Sequence, residues 1–318
     1  MLLSFIIPTY NVSNKIELCL NSISHIPLNK NDYEIIVIDD SSADNTTAIT
    51  EKFLEENKLN YTLLQQKKAG QASARNKGLD VAKGKYIWMI DSDDEIVSNW
   101  EIWNSLISDT NIELITFNYE EIWLKKTIIQ QKFQKKQYVS GVDFLANSKG
   151  GSYLWNKIYH RGTIRNIRFI EGSTHIEDMC FNVHAIINIS SILCLPVTGY
   201  KYYRYPKRKL RGKDLLMERS KANADSFKAY QSINELALRT NNRAQEILYN
   251  ILGFEILAHL YSIFKNDDYS VLLKYKERYC SMGLFPCVKG KNFKVNLFRI
   301  IVNNSWLTQI AHYFYKIK

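Results

Sequence analysis

The chain has 318 residues, of which 46% are hydrophobic and 23% charged, and a formal net charge of +10. That balance is globular and excludes a disordered chain, and the length admits one large domain or one domain with an appendage. No uninterrupted apolar run approaches the roughly 18 residues of a membrane span, so none is expected.

Five cysteines (Cys19, Cys180, Cys194, Cys280, Cys287) form no C-x-x-C pair. Reduced, mostly buried thiols in a cytoplasmic protein are expected rather than a zinc knuckle or a redox couple. The opening MLLSFIIPTYN has no basic stretch before its apolar run, and it reads as a strand over 3–8 rather than a signal peptide. Asn14 with Glu17 has capping-box spacing, and Ile16, Cys19, Leu20 and Ile23 follow at helical intervals. YEIIVIDD (33–40) is apolar without alternation, as in a strand covered on both faces of a parallel sheet. Asp44 and Asn45 are expected to cap a second helix carrying Ile49 and Phe53. YTLLQQ (61–66) reads as a third strand, and 70–84 as a third helix with Ala72, Arg75, Leu79 and Ala82 on one face.

IWMIDSDD (87–94) closes this series by driving an apolar strand into three carboxylates. Strand and helix alternate throughout, the pattern of a doubly wound α/β layer, and ligands of such sheets bind beyond the carboxyl ends of the strands. PTYN (8–11), Asp39–Asp40 and Asp91-Ser92-Asp93-Asp94 all fall at such ends. Acids at a strand end suit a divalent ion meeting a diphosphate. Mg²⁺ or Mn²⁺ takes few protein carboxylates and lets substrate phosphates complete its oxygen shell. Asp93 is placed to hold that metal and Asp91 to face a ribose. No G-x-G-x-x-G or G-x-x-x-x-G-K-[ST] loop follows the first strand, so metal and side chains are expected to handle the phosphates.

Further strands are expected over 113–119, 191–196 and 199–205, and helices from about 214 onward. Residues 196–213 hold seven Lys/Arg and no acid, and residues 284–318 hold six and again no acid. Such runs suit nucleic acid, an anionic membrane or a phosphorylated ligand, and composition does not choose.

SFIIPTYN, EIIVIDDSSADNT, AGQASARNKGL and YIWMIDSDD together resemble, in order over about 3–95, the landmarks of the family 2 glycosyltransferases of GT-A fold. WNKIYHR, HIEDMCFN and YKYYRY resemble the looser downstream pattern and extend the likeness to about 210. The resemblance implies a Rossmann-like α/β catalytic domain over 1–212. The last hundred residues match nothing in that family; their apolar spacing gives a mostly helical region over 213–318, expected to serve an acceptor or a membrane surface. It implies inverting, Mn²⁺- or Mg²⁺-dependent transfer of a sugar from a nucleotide-sugar, most often a UDP-sugar, to a glycan or lipid-linked acceptor in bacterial cell-surface polysaccharide synthesis.

Carried onto these positions, Pro8, Thr9 and Tyr10 flank the base, and Asp40 accepts from the uracil imide. Arg75 contacts the nucleotide, Asp91 and Ser92 lie near the ribose, and Asp93 binds the metal. Asp178 serves as general base, with Glu177 as the alternate. Trp155, Asn156 and Lys157 stand where an acceptor or donor-sugar wall would be, although a core Trp explains the first equally well. Arg204, Lys207 or Arg208 would meet the diphosphate, or else form a solvated basic loop. His175 is read as packing or capping rather than ligating.

No Q-x-x-R-W follows the base, which favours single-sugar addition over polymer synthesis. A cytoplasmic, non-nucleic-acid-binding enzyme, peripheral at the inner membrane face, is expected. The rival reading is a non-catalytic basic protein that binds RNA or an anionic membrane. A sugar-nucleotide pyrophosphorylase would need a glycine-rich basic loop after the first strand, which PTYNVSNK does not supply.

Overall fold

A computed structural model describes residues 1–108, 111–124, 126–148, 153–206, 210–285 and 293–317. Two compact units emerge, Met1–Lys209 and Leu210–Lys318.

The first unit begins with β1 (Leu3–Thr9), α1 (Ile16–Ser24), β2 (Tyr33–Asp39), α2 (Thr46–Glu56), β3 (Tyr61–Gln65), α3 (Gln71–Val81) and β4 (Tyr86–Met89). The four strands lie parallel in the order β3-β2-β1-β4. β1 and β2 are buried at every position, which is why their sequences show no polar alternation. Phe5, Ile7, Ile35 and Val37 join Ile16, Cys19, Leu20, Ile23 and Leu54 in one apolar cluster. On the other face α3 comes close, because Gly78 leaves no room for a Cβ against Ile6 and Ile38. That close approach carries Arg75 into the interior.

The unit continues with β5 (Glu95–Ile96), α4 (Trp100–Ser108), β6 (Leu114–Trp123), β7 (Lys126–Gln130), β8 (Gln137–Val139), α5 (Gly141–Ser148), β9 (Lys157–His160), α6 (Glu177–Ile186) and β10 (Ile192–Tyr203). β9 runs antiparallel between β4 and β6, so the extended sheet β3-β2-β1-β4-β9-β6-β10-β5 is mixed rather than wholly parallel. The strands expected separately over 191–196 and 199–205 are one strand, β10. Its pairing with β6 shifts between Leu195 and Thr198, where Pro196 has no N–H to give the ladder.

The capping box at Asn14 does not form. Helix α1 starts after Lys15, and the Lys15 and Ile16 amides donate to the carbonyl of Val12. At the second helix it is Asp44, not Asn45, whose side chain accepts from the Thr46 amide.

The second unit is helical: α7 (Gly212–Ala237), α8 (Asn242–Asn266), α9 (Tyr269–Ser281), α10 (Phe293–Asn303) and α11 (Ser305–Ile317). Asn241 caps α8 by accepting from the Ala244 amide. By length and composition α8 is apolar enough to cross a membrane, with a mean hydropathy of 1.5 over 18 residues. Counting uninterrupted apolar runs overlooks this, because isolated polar residues break them. Leu248, Leu252, Ile256, Leu260 and Ile263 of α8 are buried.

Candidate active site

The ends of β1, β2 and β3 meet at Asp39 and Asp40. Asp39 accepts from the Thr9 hydroxyl at 3.2 Å and the Ser42 amide at 3.0 Å, so it locks the turn after β2. Asp40, also buried, accepts from Gln66 Nε2 at 2.7 Å and from the amides of Ala69 and Gly70 at 2.7 and 3.0 Å. Gly70 has φ +90°, a left-handed conformation that glycine adopts without strain, and it places its amide on Asp40 at the entry to α3. Gln66 Oε1 is buried with no hydrogen-bond partner among the described residues. Tyr10 is exposed, and its hydroxyl accepts from Lys68 Nζ at 2.6 Å. Pro8 lies in the buried run of β1, one residue before Thr9, which ends the strand.

Arg75 links the two acidic groups of the site. Its Nη1 donates to Asp178 Oδ1 at 2.7 Å and its Nη2 to Asp91 Oδ1 at 2.9 Å, while its Nε has no partner among the described residues. The guanidinium is 2% exposed, against 27% for the Asp178 side chain and 23% for Asp91, so one buried cation serves two carboxylates that face solvent. Burial pushes the Asp178 carboxyl up to about 7. Arg75 pulls against that rise, and Asp91 and Glu177 add to it. A carboxyl poised there is ionised in a substantial fraction at neutral pH and can still take a proton. Glu177 and Asp178 open the first turn of α6, behind Ile176 at φ +56°. A β-branched residue rarely adopts that left-handed conformation.

At the turn after β4, Asp91 also accepts from Gln71 Nε2 at 3.1 Å, and Ser92 is buried. Asp93 Oδ2 meets Lys15 Nζ at 3.3 Å. Burial, and then the charge of Asp91, raise the Asp93 carboxyl, with Lys15 opposing. Asp94 is an anchor: its carboxyl accepts from the Tyr200 hydroxyl at 3.0 Å and the Tyr203 amide at 2.8 Å, and burial pushes it up to about 9.

No group of three or more His, Cys, Asp or Glu side chains that could hold a metal ion occurs among the described residues. Mg²⁺ and Mn²⁺ need fewer, since they keep waters and take substrate oxygens. Asp93 fits such an ion as one outward carboxylate whose negative charge is unfavourably crowded by Asp91. His175 offers its backbone carbonyl to the Ser173 hydroxyl.

The second group of expected residues is placed differently. Trp155 is buried, with Tyr200 stacked on it at 4.5 Å and Tyr153 at 4.7 Å, so the sequence alternative of a core Trp describes its surroundings. Lys157 Nζ donates to Asn156 Oδ1 at 3.0 Å and to the Tyr153 carbonyl. Burial lowers its ammonium to about 7, against the pull of Asp178. Asn156 and Lys157 line a cavity of about 410 Å³ with Thr116, Tyr119 and Phe144. Arg204 pairs with Glu121 at 3.4 Å and lies over the Tyr202 ring. Lys207, Arg208 and Cys287 lie outside the described residues.

Residues 4–101 match the family model described as Glycosyl transferase family 2, and the match spans the ends of β1 to β4. That stretch is a family 2 glycosyltransferase segment, and the chain as a whole is similar to glycosyltransferases. It is 27% identical over 286 residues to the uncharacterized glycosyltransferase YibD of Escherichia coli K12, covering 84% of this chain and 80% of that one. It is 28% identical over 211 residues to the poly(ribitol-phosphate) β-N-acetylglucosaminyltransferase TarS of Staphylococcus aureus, across 64% of this chain and 35% of TarS. The crystal structure of TarS residues 1–349 shares its fold at a TM-score of 0.72 and 21% identity, covering 98% of this chain and 89% of that one.

The transferase thus has the GT-A fold with a C-terminal helical region, and the non-catalytic reading of its basic charge gives way. Sequence reasoning missed Lys15 and Gln66. Gln66 follows directly on β3, so the rule that ligand groups collect at strand ends could have found it.

Proposed function

We propose that the enzyme moves one sugar from a UDP-sugar to a glycan or lipid-linked acceptor, with inversion and with Mn²⁺ or Mg²⁺ bound at Asp93. The arrangement that carries this reading is Arg75 between Asp91 and Asp178. It sets a donor-side carboxylate and a carboxyl poised near neutrality against one buried cation. Inverting transfer needs one group to take the acceptor proton, and a base with a pKa near the working pH does that best. Asp178 fills that role, with Glu177 as the alternate.

When bound, the cation would neutralise charge on the departing diphosphate. Asp40 retains a lone pair beyond its three N–H donors, and Gln66 Oε1 supplies a second acceptor for a base imide. The TarS structure with UDP-GlcNAc supports a UDP donor by analogy of fold. A relative acting on an undecaprenol-linked glycan, 27% identical over 180 residues, supports a lipid-linked acceptor. The acid-free basic run over 284–318 suits work at the inner face of the membrane.

Thermal shifts with UDP, GDP, CMP and dTDP, each with and without Mn²⁺, test the donor site. Ligand at 100 times its dissociation constant stabilises a fold by about 2.7 kcal/mol. The expected result is a shift with UDP that requires Mn²⁺ and disappears in Asp93→Ala. A UDP shift of equal size without metal, or one retained in Asp93→Ala, refutes the metal assignment.

A further inference from the structure

Lys15 stands at the start of α1, in the segment that leaves β1. Its Nζ lies 3.3 Å from Asp93 Oδ2 and 3.4 Å from the centroid of the Tyr205 ring. The Tyr205 hydroxyl donates to the Asp93 carbonyl at 3.4 Å. One ammonium therefore joins three segments distant in sequence: the exit of β1, the acidic turn after β4 and the residues following β10. The contact is not sealed, because the Lys15 side chain is 26% exposed and that of Asp93 is 35% exposed. A lysine ammonium on a flexible four-carbon stem can leave one anion for another nearby without moving the backbone.

A divalent ion on Asp93 and the Lys15 ammonium are like charges seeking the same carboxylate. A diphosphate held by that ion would bring its oxygens into the same coordination shell, within a side-chain swing of Lys15. Resting on the reading of Asp93 as the metal carboxylate, we propose that Lys15 is an exchangeable cation of the donor site. It competes with the metal for Asp93, and it moves to the diphosphate once metal and nucleotide are both present. Lys15 is then a positioning residue with two opposed effects: it weakens the binding of metal alone and strengthens the binding of nucleotide with metal.

The opposition of sign is the test. Lys15→Met keeps the apolar stem and removes the charge, and Lys15→Arg retains the charge. Free Mn²⁺ is counted by electron paramagnetic resonance in a titration without nucleotide, and UDP affinity is then measured at saturating Mn²⁺. Losing a part-exposed ion pair predicts Mn²⁺ binding about 2- to 5-fold tighter in Lys15→Met. UDP binding with Mn²⁺ is expected to weaken by a similar or larger factor, and Lys15→Arg to restore it.

If both affinities shift in one direction, or neither shifts, while Asp93→Ala abolishes Mn²⁺ binding, the exchange is refuted and the metal assignment stands. If Asp93→Ala binds Mn²⁺ like the wild type, the metal assignment falls and takes the exchange with it. Matching circular dichroism and melting temperatures establish that each variant is folded.

Discussion

Arg75→Met isolates the electrostatic link across the site. In the wild type the guanidinium holds Asp178 at 2.7 Å, and the Asp178 carboxyl nevertheless sits at about 7 because burial outweighs that attraction. An arginine beside a carboxylate lowers its pKa by about 1–3 units. Solvent reaches 27% of the Asp178 side chain, so the lower part of that range applies, about 1–2 units. Without Arg75 the carboxyl would then lose its proton at about pH 8–9. At pH 7 the ionised fraction would fall from about a half to between a tenth and a hundredth, a loss of about 5- to 50-fold in competent base.

The assay is kcat/KM for nucleotide release across pH 6–10 at fixed ionic strength with Mg²⁺. Wild-type activity should rise through about pH 7. The same limb in Arg75→Met should lie 1–2 units higher, and Arg75→Lys should stay near the wild type. Because Arg75 is also a proposed nucleotide contact, the readout is the position of the limb and not its height. Breaking an ion pair around a buried cation also destabilises the fold, by about 1–3 kcal/mol here once the exposure of both carboxylates is discounted. Urea denaturation must therefore establish that the variant is folded across the pH range. An acid limb that stays at the wild-type position in folded Arg75→Met refutes the argument.

Asp178→Asn preserves shape and removes the proposed base, so UDP with Mn²⁺ should still stabilise the fold while transfer drops about 10²- to 10⁴-fold; transfer at the wild-type rate would refute that role for Asp178. Asp94 tests a different property. Its folded pKa, about 9, lies above that of an unfolded carboxylate, so the folded state binds the extra proton across the interval between them. The contribution of Asp94 to stability is full below the unfolded value and declines as pH rises toward about 9. Denaturant unfolding at pH 5, 7 and 9 should show the wild type losing stability on the way up and Asp94→Asn losing less, and parallel slopes would contradict the assignment.

Much of the first unit was legible because its physics is local. β1, β2 and β4 announce themselves by apolar runs buried on both faces, and the acids at their ends fall where the ladder stops. α3 was legible from its spacing, and so was the burial of Arg75. The partners of Arg75 were not, since Asp91 and Asp178 lie 16 and 103 residues away and α6 brings the second one in. Trp155 could not be assigned from sequence because a tryptophan suits a ligand wall and a core equally, and the stacking rings Tyr153 and Tyr200 arrive from different strands and loops. The continuity of β10 was hidden by Pro196, which breaks the hydrogen-bond register without ending the strand. Lys15 escaped notice because the capping pattern around Asn14 supplied a sufficient local reason for that stretch.

Ile176 bears on how the enzyme would respond to selection. Holding an isoleucine at φ +56° costs on the order of 1–3 kcal/mol, which the surrounding fold must offset. A glycine there would release that strain, so a search for heat-resistant variants has an easy gain at this position. The same change would give the backbone more freedom directly before Glu177 and Asp178 at the entry to α6, and so loosen their aim. Ile176→Gly is thus expected to raise the melting temperature and lower turnover, opposite effects at a single residue.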